Sequence, residues 1–166
     1  MDNQLKLTIP TDVRKEWTRR LTDLTADNDI PVAIIMKVDD PHVEVFVKND
    51  GEEDPYNVGD IFNLSGLYCE EVVDKNTYVI IDDARKDSRW QGSPALKQGL
   101  ISYFGFPIRW PNGEIFGTLC LNDFEVHENW MELYDVVEEI QKSIESKLKE
   151  IHQKHQKIIN KEEKED

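Results

Sequence analysis

One stretch of sequence restricts the fold of this chain more than any other, a β-hairpin near its middle. Two apolar runs, residues 101–109 and 115–121, are separated by Pro111-Asn112-Gly113. An Asn-Gly step after proline is typical of a tight turn, and strands joined by so short a turn pair antiparallel. The chain is therefore expected to build its core on an antiparallel sheet.

The same hairpin leads to a prediction about the two faces of that sheet. One face of the first strand, the bulkier of the two, carries Ser102, Phe104, Phe106 and Ile108. Its other face carries Gly105 and Pro107, and the second strand contributes Gly117. Because small residues let a helix approach a sheet closely, we expect helices on the small face and a pocket or loop layer on the bulky face.

Further strands and helices are predicted on both sides of the hairpin. A continuous apolar run at residues 31–38 predicts a strand covered on both faces, and alternating valines at 42–48 predict its antiparallel partner. Helical spacing predicts an N-terminal helix over residues 11–28. The weaker patterns predict a helix over 66–75 capped by Ser65, a strand over 77–81 and a short helix over 95–99. This order, without βαβ crossovers, predicts an α+β fold with helices from both chain ends on one face of the sheet.

Residues 127–160 are predicted to form one long helix. A helix of about 32 residues extends about 48 Å, which is more than a domain of this size can cover. Its apolar residues Val137, Ile144, Ile151 and Ile158 are spaced seven apart, as in a coiled coil. Together with Leu148, they are expected to form the interface of a dimer. The alternative for the second half is a frayed tail.

The last helix is longer than the domain can cover, so its length predicts where the domain ends and an extension begins. We expect an N-terminal arm at residues 1–10, a domain at 11–146 and a helical extension with linker at 147–166. Leu148, Ile151 and Ile158 are predicted to need a second chain, since nothing else in the sequence is assigned to cover them. The charged end at 161–166 is typical of a linker to a further domain in a longer protein.

Charge and composition exclude several classes of function. The formal net charge is −14, and residues 147–166 hold six Lys against five acidic residues, so the acidity lies on the domain itself. Such a surface repels phosphate backbones, and nucleic acid is therefore not an expected partner. No apolar run approaches the roughly 20 residues of a membrane span, and the first residues lack a signal-peptide pattern, so we expect a cytoplasmic protein without a membrane partner.

The two cysteines, Cys69 and Cys120, are expected to be reduced thiols in that compartment. They are not part of a CxxC or CxxH pair, so no zinc or other metal site is predicted. The simplest interpretation is that both are small buried hydrophobic residues.

The middle of the chain carries three short motifs, D-A-R-K-D-S-R-W at residues 83–90, Y-F-G-F-P at 103–107 and G-E-I-F-G-T-L-C at 113–120. In these motifs the chain resembles the GAF domains found in bacterial and archaeal sensor histidine kinases and diguanylate cyclases. The resemblance extends over about residues 11–147. Ser88 departs from it, since the family usually has proline there.

The resemblance implies a GAF/profilin-like fold with a small-molecule pocket between the sheet and a layer of short helices and loops. The candidate ligand-binding residues are Phe62, Tyr68, Cys69, Val72, Ile81, Asp83, Arg89, Trp90, Leu96, Leu100, Phe104, Phe106 and Cys120. The same side chains would equally fill a core without a ligand. The charged cluster at residues 82–89 is either a loop held by Asx turns and ion pairs or a set of ligand contacts, and Trp90 is either a plug or a stacking platform.

The ligand is unknown from the sequence. The N-K…F-x-x-x-D-E pattern of cyclic-nucleotide GAF domains is absent, and neither cysteine lies in the late loop or helix to which bilins attach. Haem needs an inward histidine, whereas the four histidines are predicted on edges or on the tail. Cyclic nucleotide, bilin and haem are therefore not supported.

Three functions remain open at this stage. The first is a non-enzymatic sensor that binds a small ligand and relays a signal through a dimeric C-terminal helix to a downstream output domain. The second is a dimerisation and relay module without a ligand. The third is a free methionine sulfoxide reductase, because Cys69 falls near the G-V-C-G cysteine of those enzymes, but the resolving cysteine expected in the late loop is missing.

Overall fold

Six strands form one antiparallel sheet at the centre of the computed structural model, which describes residues 8–51 and 55–165. The strands are β1 (Val32–Asp39), β2 (His42–Lys48), β3 (Ile61–Asn63), β4 (Val79–Ile81), β5 (Ser102–Arg109) and β6 (Ile115–Asp123). Their order across the sheet is β3-β2-β1-β6-β5-β4, so both predicted hairpins are confirmed and β1 and β6 lie in the middle. The edge strand β3 was not predicted, because three residues are too few to show alternation.

The α-helices are α1 (Thr11–Asn28), α2 (Tyr68–Lys75), α3 (Pro94–Lys97) and α4 (Tyr134–Glu165). Short 3₁₀ turns lie at Ala84–Lys86, Ser88–Trp90 and Trp130–Leu133. The predicted helix start at Gly66 under a Ser65 cap is wrong. Gly66 has φ +87°, which lies outside the helical region, and Leu67 is the N-cap without a side-chain hydrogen bond.

The sheet separates two hydrophobic cores. The core on one face contains the apolar sides of α1 and α4, and the core on the other contains α2, α3 and the loop residue Tyr56. Helices from both ends of the chain therefore cover one face, as predicted, and the architecture is the α+β profilin-like fold.

The prediction about the two faces of β5 is wrong. Phe104, Phe106 and Ile108 are buried under the long helices, and the ring centroid of Phe104 lies 5.8 Å from that of Trp130. Alternation identifies residues that share a face but not the layer that the face meets, which here is the layer of long helices. Phe104 and Phe106 are thereby separated from the loop side of the sheet, where Tyr103 lies instead.

The C-terminal helix also differs from its prediction. Leu148 is fully buried within this chain, so the prediction that it needs a second chain is wrong. Its core cluster includes Val13 of the predicted domain and also Ile9, so one residue assigned to the separate arm contributes to the domain core. Ile151 is half-buried against the same cluster, and Ile158 is 57% exposed.

The arm predicted at residues 1–10 falls mostly on residues 1–7, which lie outside the described part of the chain. Within residues 8–51 and 55–165, no helix has both the length and the apolar content that a bilayer crossing requires.

Candidate functional site

The candidate site lies between the loop-side face of the sheet and a cover formed by α2, α3 and the two 3₁₀ turns at 84–90. We call residues 82–99 the roof. Strand β6 presents small or polar residues to this side at Thr118, Cys120 and Asn122, while Leu119 and Leu121 point to the helices. The sheet therefore has a predominantly apolar face under the long helices, where Ser102 accepts a hydrogen bond from Trp130, and a mixed face under the roof.

A cavity of about 20 Å³ remains between these layers. Its lining consists of Met36, Tyr56, Leu67, Tyr68, Cys69, Ala95, Tyr103, Cys120 and Asn122. A space of this size holds about one water molecule, whereas sites for organic ligands measure about 300–1,000 Å³. The chain's own side chains thus occupy nearly all of the volume that a ligand would need.

Tyr103 is one of the side chains that fill this space. It is 2% exposed, its ring centroid lies 5.4 Å from that of Tyr68, and its hydroxyl lies 3.0 Å from the Sγ atom of Cys120. The ring lies over Gly105 two residues further along β5, where an added Cβ would collide with the Tyr103 hydroxyl. Glycine at position 105 is therefore what allows the tyrosine to turn into the site.

Both thiols of the chain meet in this cavity. The Thr118 hydroxyl lies 3.1 Å from Sγ of Cys120. Met36 is the direct cross-strand partner of Thr118 and lines the same cavity. Three sulfur-bearing side chains, those of Met36, Cys69 and Cys120, thus line one cavity.

Burial keeps both thiols protonated at neutral pH. It raises the pKa of Cys69 well above its ordinary value, and the neighbouring Cys120 raises it further. Burial raises the pKa of Cys120 to about 11, although hydrogen bonds from Thr118 and Tyr103 partly offset the effect. Since the thiolate is the reactive form, neither cysteine is activated as a nucleophile.

Trp90 and Tyr68 hold the roof against the sheet. Their ring centroids are 5.1 Å apart at an interplanar angle of 88°, an edge-to-face contact. The Tyr68 hydroxyl donates a 2.6 Å hydrogen bond to the backbone oxygen of Leu100. Burial raises the pKa of Tyr68, and the negative charge of Asp83 adds to that effect.

The charged cluster of the roof holds its own backbone. The Oδ1 atoms of Asp83 and Asp87 accept hydrogen bonds from the backbone N–H groups of Arg85 and Arg89, each at 3.0 Å, and so cap the two 3₁₀ turns. Hydrogen bonds from the arginine side chains lower the pKa of both aspartates. Of the two interpretations left open by the sequence, the contacts present here are those of a loop held by Asx turns and ion pairs.

Arg89 also links the roof to α2. Its guanidinium contacts the carboxylates of Asp87 at 2.7 Å and Glu71 at 2.8 Å. Burial raises the pKa of Glu71, but hydrogen bonds from Lys75 and Arg89 outweigh it, so the net pKa is lowered. The Arg89 side chain is 58% exposed, so these pairs contribute little to holding the roof closed.

Two buried polar atoms of the roof lack a hydrogen-bond partner, Nε1 of Trp90 and Oγ of Ser93. A buried donor without an acceptor costs roughly 1–3 kcal/mol. The closed roof is therefore less favourable than its packing alone suggests.

The thirteen candidate residues occupy four different settings. Those that line the cavity are Tyr68, Cys69 and Cys120. Those that fill the surrounding loop-side core are Phe62, Val72, Ile81, Trp90, Leu96 and Leu100. Asp83 and Arg89 form the surface network of the roof, and Phe104 and Phe106 lie on the other side of the sheet.

Six cavity-lining residues were not among the predicted ligand-binding residues, namely Met36, Tyr56, Leu67, Ala95, Tyr103 and Asn122. The alternation on β6 was the available signal, because polar or small residues recur at 118, 120 and 122 between leucines. That pattern identifies the mixed face, and strand pairing then places Tyr103 and Met36 on it.

A groove of about 530 Å³ runs along the C-terminal half of α4. The start of the described chain forms one wall with Thr8, Pro10 and Val13, and α4 forms the other with Ile151 and Ile158. Of the five predicted dimer residues, only these two isoleucines retain exposed surface, since Val137, Ile144 and Leu148 are buried in the domain.

Comparison with known proteins gives the same architecture. A family model described as a GAF domain matches residues 14–133. The blue-light absorbing form of the PixJ GAF domain of Thermosynechococcus elongatus aligns with a TM-score of 0.73 at 15% identity, covering 96% of this chain and 95% of that one. The GAF domain of an Acinetobacter phosphoenolpyruvate-protein phosphotransferase aligns with a TM-score of 0.59 at 15% identity, covering 96% and 99%.

An enzyme is among the similar structures. The free methionine-R-sulfoxide reductase of Neisseria meningitidis, solved with its substrate, aligns with a TM-score of 0.70 at 14% identity, covering 90% of this chain and 86% of that one. No curated protein sequence matches the chain. At these identities the structural likeness establishes the fold and leaves ligand and chemistry open.

Proposed function

This chain belongs to the GAF domain family, whose members are generally sensory or regulatory, and from this membership we propose that it is a relay domain whose site has no room for an organic ligand. The observation that carries the proposal is the cavity of about 20 Å³. Tyr103, Tyr68 and Trp90 fill the space that the fold offers to a ligand elsewhere in the family. The relay then depends on packing between the loop layer, the sheet and α4.

The loop layer over the cavity and the layer of long helices pack against opposite faces of the same central strands. On β6, Cys120 faces the cavity while Leu119 and Leu121 face the helices, so a shift of this strand alters both sides at once. Strand β5 does the same with Tyr103 on one face and Phe104 on the other. Because packed cores adopt discrete arrangements, a rearrangement under the roof would be passed to α4 as a change of its packing.

We propose that α4 carries this change to a second copy of the chain and to an output domain. Ile151 and Ile158 leave an apolar strip on a helix that continues to Glu165, and the strip borders the groove beside Val13. The proposed dimer interface on α4 therefore includes Ile151 and Ile158 but not the other three residues predicted for it.

Light scattering on matched variants tests this dimer. Ile158→Asp places a charge in the apolar strip and is expected to abolish the dimer, while Gln153→Asp adds the same charge at an exposed position and is expected to leave it intact. Ile144 is unsuitable for this test, because it is 1% exposed in the chain's own core and an aspartate there would unfold the domain. An Ile158→Asp protein that stays dimeric would place the interface elsewhere.

The second candidate function is a sensor for an organic ligand that enters by lifting the roof. The unpartnered Nε1 of Trp90 and Oγ of Ser93 favour it, since a ligand with acceptors would satisfy both atoms. A thermal-shift screen with nucleotides, amino acids and organic acids separates the two candidates. The filled site predicts no stabilisation, and a saturable shift that Trp90→Ala removes would favour the sensor.

The reductase is the least supported candidate. Cys120 does lie beside Cys69, so a second thiol is present, although it is on β6 and not in the late loop. Both thiols are nevertheless buried with raised pKa values, and the cavity is too small for methionine sulfoxide. We therefore propose a non-enzymatic domain, and an assay with free methionine sulfoxide and a thiol reductant is expected to show no turnover.

A further inference from the structure

We propose that the cavity is a binding site for one soft monovalent cation, Cu(I), held by the sulfur atoms of Cys69, Cys120 and Met36. This inference deepens the proposed function, because it names the class of ligand that a site without room for an organic molecule can still take.

The donor set carries the inference. Met36, Cys69 and Cys120 all line the same cavity, although they come from β1, α2 and β6. The hydroxyl of Thr118 lies 3.1 Å from Sγ of Cys120, and Thr118 is the direct cross-strand partner of Met36. Thiolate and thioether ligands select Cu(I) over harder cations.

Two thiols and one thioether suit this cation in number as well as in type. Among residues 8–51 and 55–165, no group of three or more His, Cys, Asp or Glu is placed to share a metal ion. Zinc, which usually takes four ligands of those types, is therefore poorly served. Cu(I) binds with two or three soft ligands, and the third one here is a methionine.

The volume and the charge fit a single ion. A cavity of about 20 Å³ is of the size of one water molecule, so its volume is that of a single small ion. A monovalent cation with one thiolate is a neutral pair, which limits the cost of burial. The thiol that becomes thiolate releases its proton to solvent, and no electron is transferred. The net charge of −14 favours the approach of cations to the domain.

Competition for Cu(I) under anaerobic conditions tests the site. The reduced protein is titrated with the Cu(I)–bicinchoninate complex, and the loss of the complex's colour reports transfer. We expect one equivalent to be taken up. Cys69→Ser and Cys120→Ser are each expected to weaken binding at least about 100-fold, because a hydroxyl replaces a soft ligand.

A methionine pair supplies the matched control. Met36→Leu is expected to weaken binding about 10-fold, since it removes one of three soft ligands. Met131→Leu changes a methionine that is 55% exposed and is expected to leave the affinity unchanged. X-ray absorption of the copper-loaded wild-type protein, which needs no variant, should show sulfur ligands alone.

Three results would overturn the site. They are failure of the wild-type protein to take Cu(I) from bicinchoninate, equal affinities of the Met36→Leu and Met131→Leu proteins, and nitrogen ligands at the bound copper. Any of them would leave the cavity as the place of one water molecule. The proposed function fails separately, through a stabilising organic ligand in the thermal-shift screen.

Discussion

Gly105→Ala is the substitution that most sharply tests whether Tyr103 fills the site. A Cβ at this position would meet the hydroxyl and ring carbons of Tyr103, which is 2% exposed and adjoins a cavity of only about 20 Å³, too small to take a displaced ring. The ring must therefore shift, and its contact with Sγ of Cys120 must lengthen or break.

The magnitude follows from three contributions. Overpacking a filled core costs about 2 kcal/mol, and loss of one buried hydrogen bond costs about 1 kcal/mol. Replacing glycine lowers the entropy of the unfolded chain and returns about 0.7 kcal/mol. The expected net loss is about 2 kcal/mol in the free energy of unfolding, which lowers the thermal midpoint by about 4–8 °C in a domain of this size.

Urea denaturation of five proteins makes the test specific, with the wild type as the reference. Gly92→Ala is the control, because a Cβ at Gly92 meets nothing within 4 Å, and its stability should stay within about 0.5 kcal/mol of the wild type. The other three proteins are Gly105→Ala, Tyr103→Val and the variant that combines them. In the Tyr103→Val background the ring is gone, so Gly105→Ala should cost nothing further. An equal cost with and without Tyr103, or a cost below about 0.5 kcal/mol in the wild type, would refute the reasoning.

Three further predictions concern other parts of the fold. Leu148→Ala should lower the free energy of unfolding, measured by urea denaturation, by about 2–5 kcal/mol because Leu148 is fully buried. Ile158→Ala, at a site that is 57% exposed, should change the stability of the monomer by less than about 0.5 kcal/mol. Equal effects of the two substitutions would contradict the packing of α4. Burial raises the pKa of Cys120 to about 11 in the folded state, so its protonated thiol stabilises the fold below pH 9 and that contribution is lost as the pH rises towards 11. The Cys120→Ser protein should therefore lose less stability than the wild type between pH 9 and 11. Identical pH profiles of the two proteins would count against the buried thiol. Trp90→Ala should lower the free energy of unfolding by about 3–5 kcal/mol. Arg89→Ala should barely lower the thermal midpoint, since exposed ion pairs contribute little to stability. A larger effect of Arg89→Ala than of Trp90→Ala would mean that charges hold the roof.

Local patterns predicted the elements of this fold well. The helix over residues 11–28 has the predicted bounds, and the hairpin of β5 and β6 follows from one turn sequence. These features depend on neighbours in sequence. Their preferences for helix, strand or turn agree with the final structure, so little tertiary information is needed to find them.

The site could not be predicted in the same way. Alternation on β5 grouped Phe104 with Phe106 correctly, but the layer they meet depends on the helices that arrive from both chain ends. The meeting of Cys69 with Cys120 depends on where α2 docks on β6, which no local pattern encodes. Burial of Leu148 likewise depends on residues at the start of the chain.

Mass spectrometry of the freshly purified, denatured protein tests the central claim most directly, because a ligand held in the site would be released and weighed. The filled cavity of about 20 Å³ predicts that no organic molecule co-purifies in stoichiometric amount. One equivalent of a metabolite in the wild-type protein, absent from a variant that blocks the cavity such as Cys120→Phe, would contradict it.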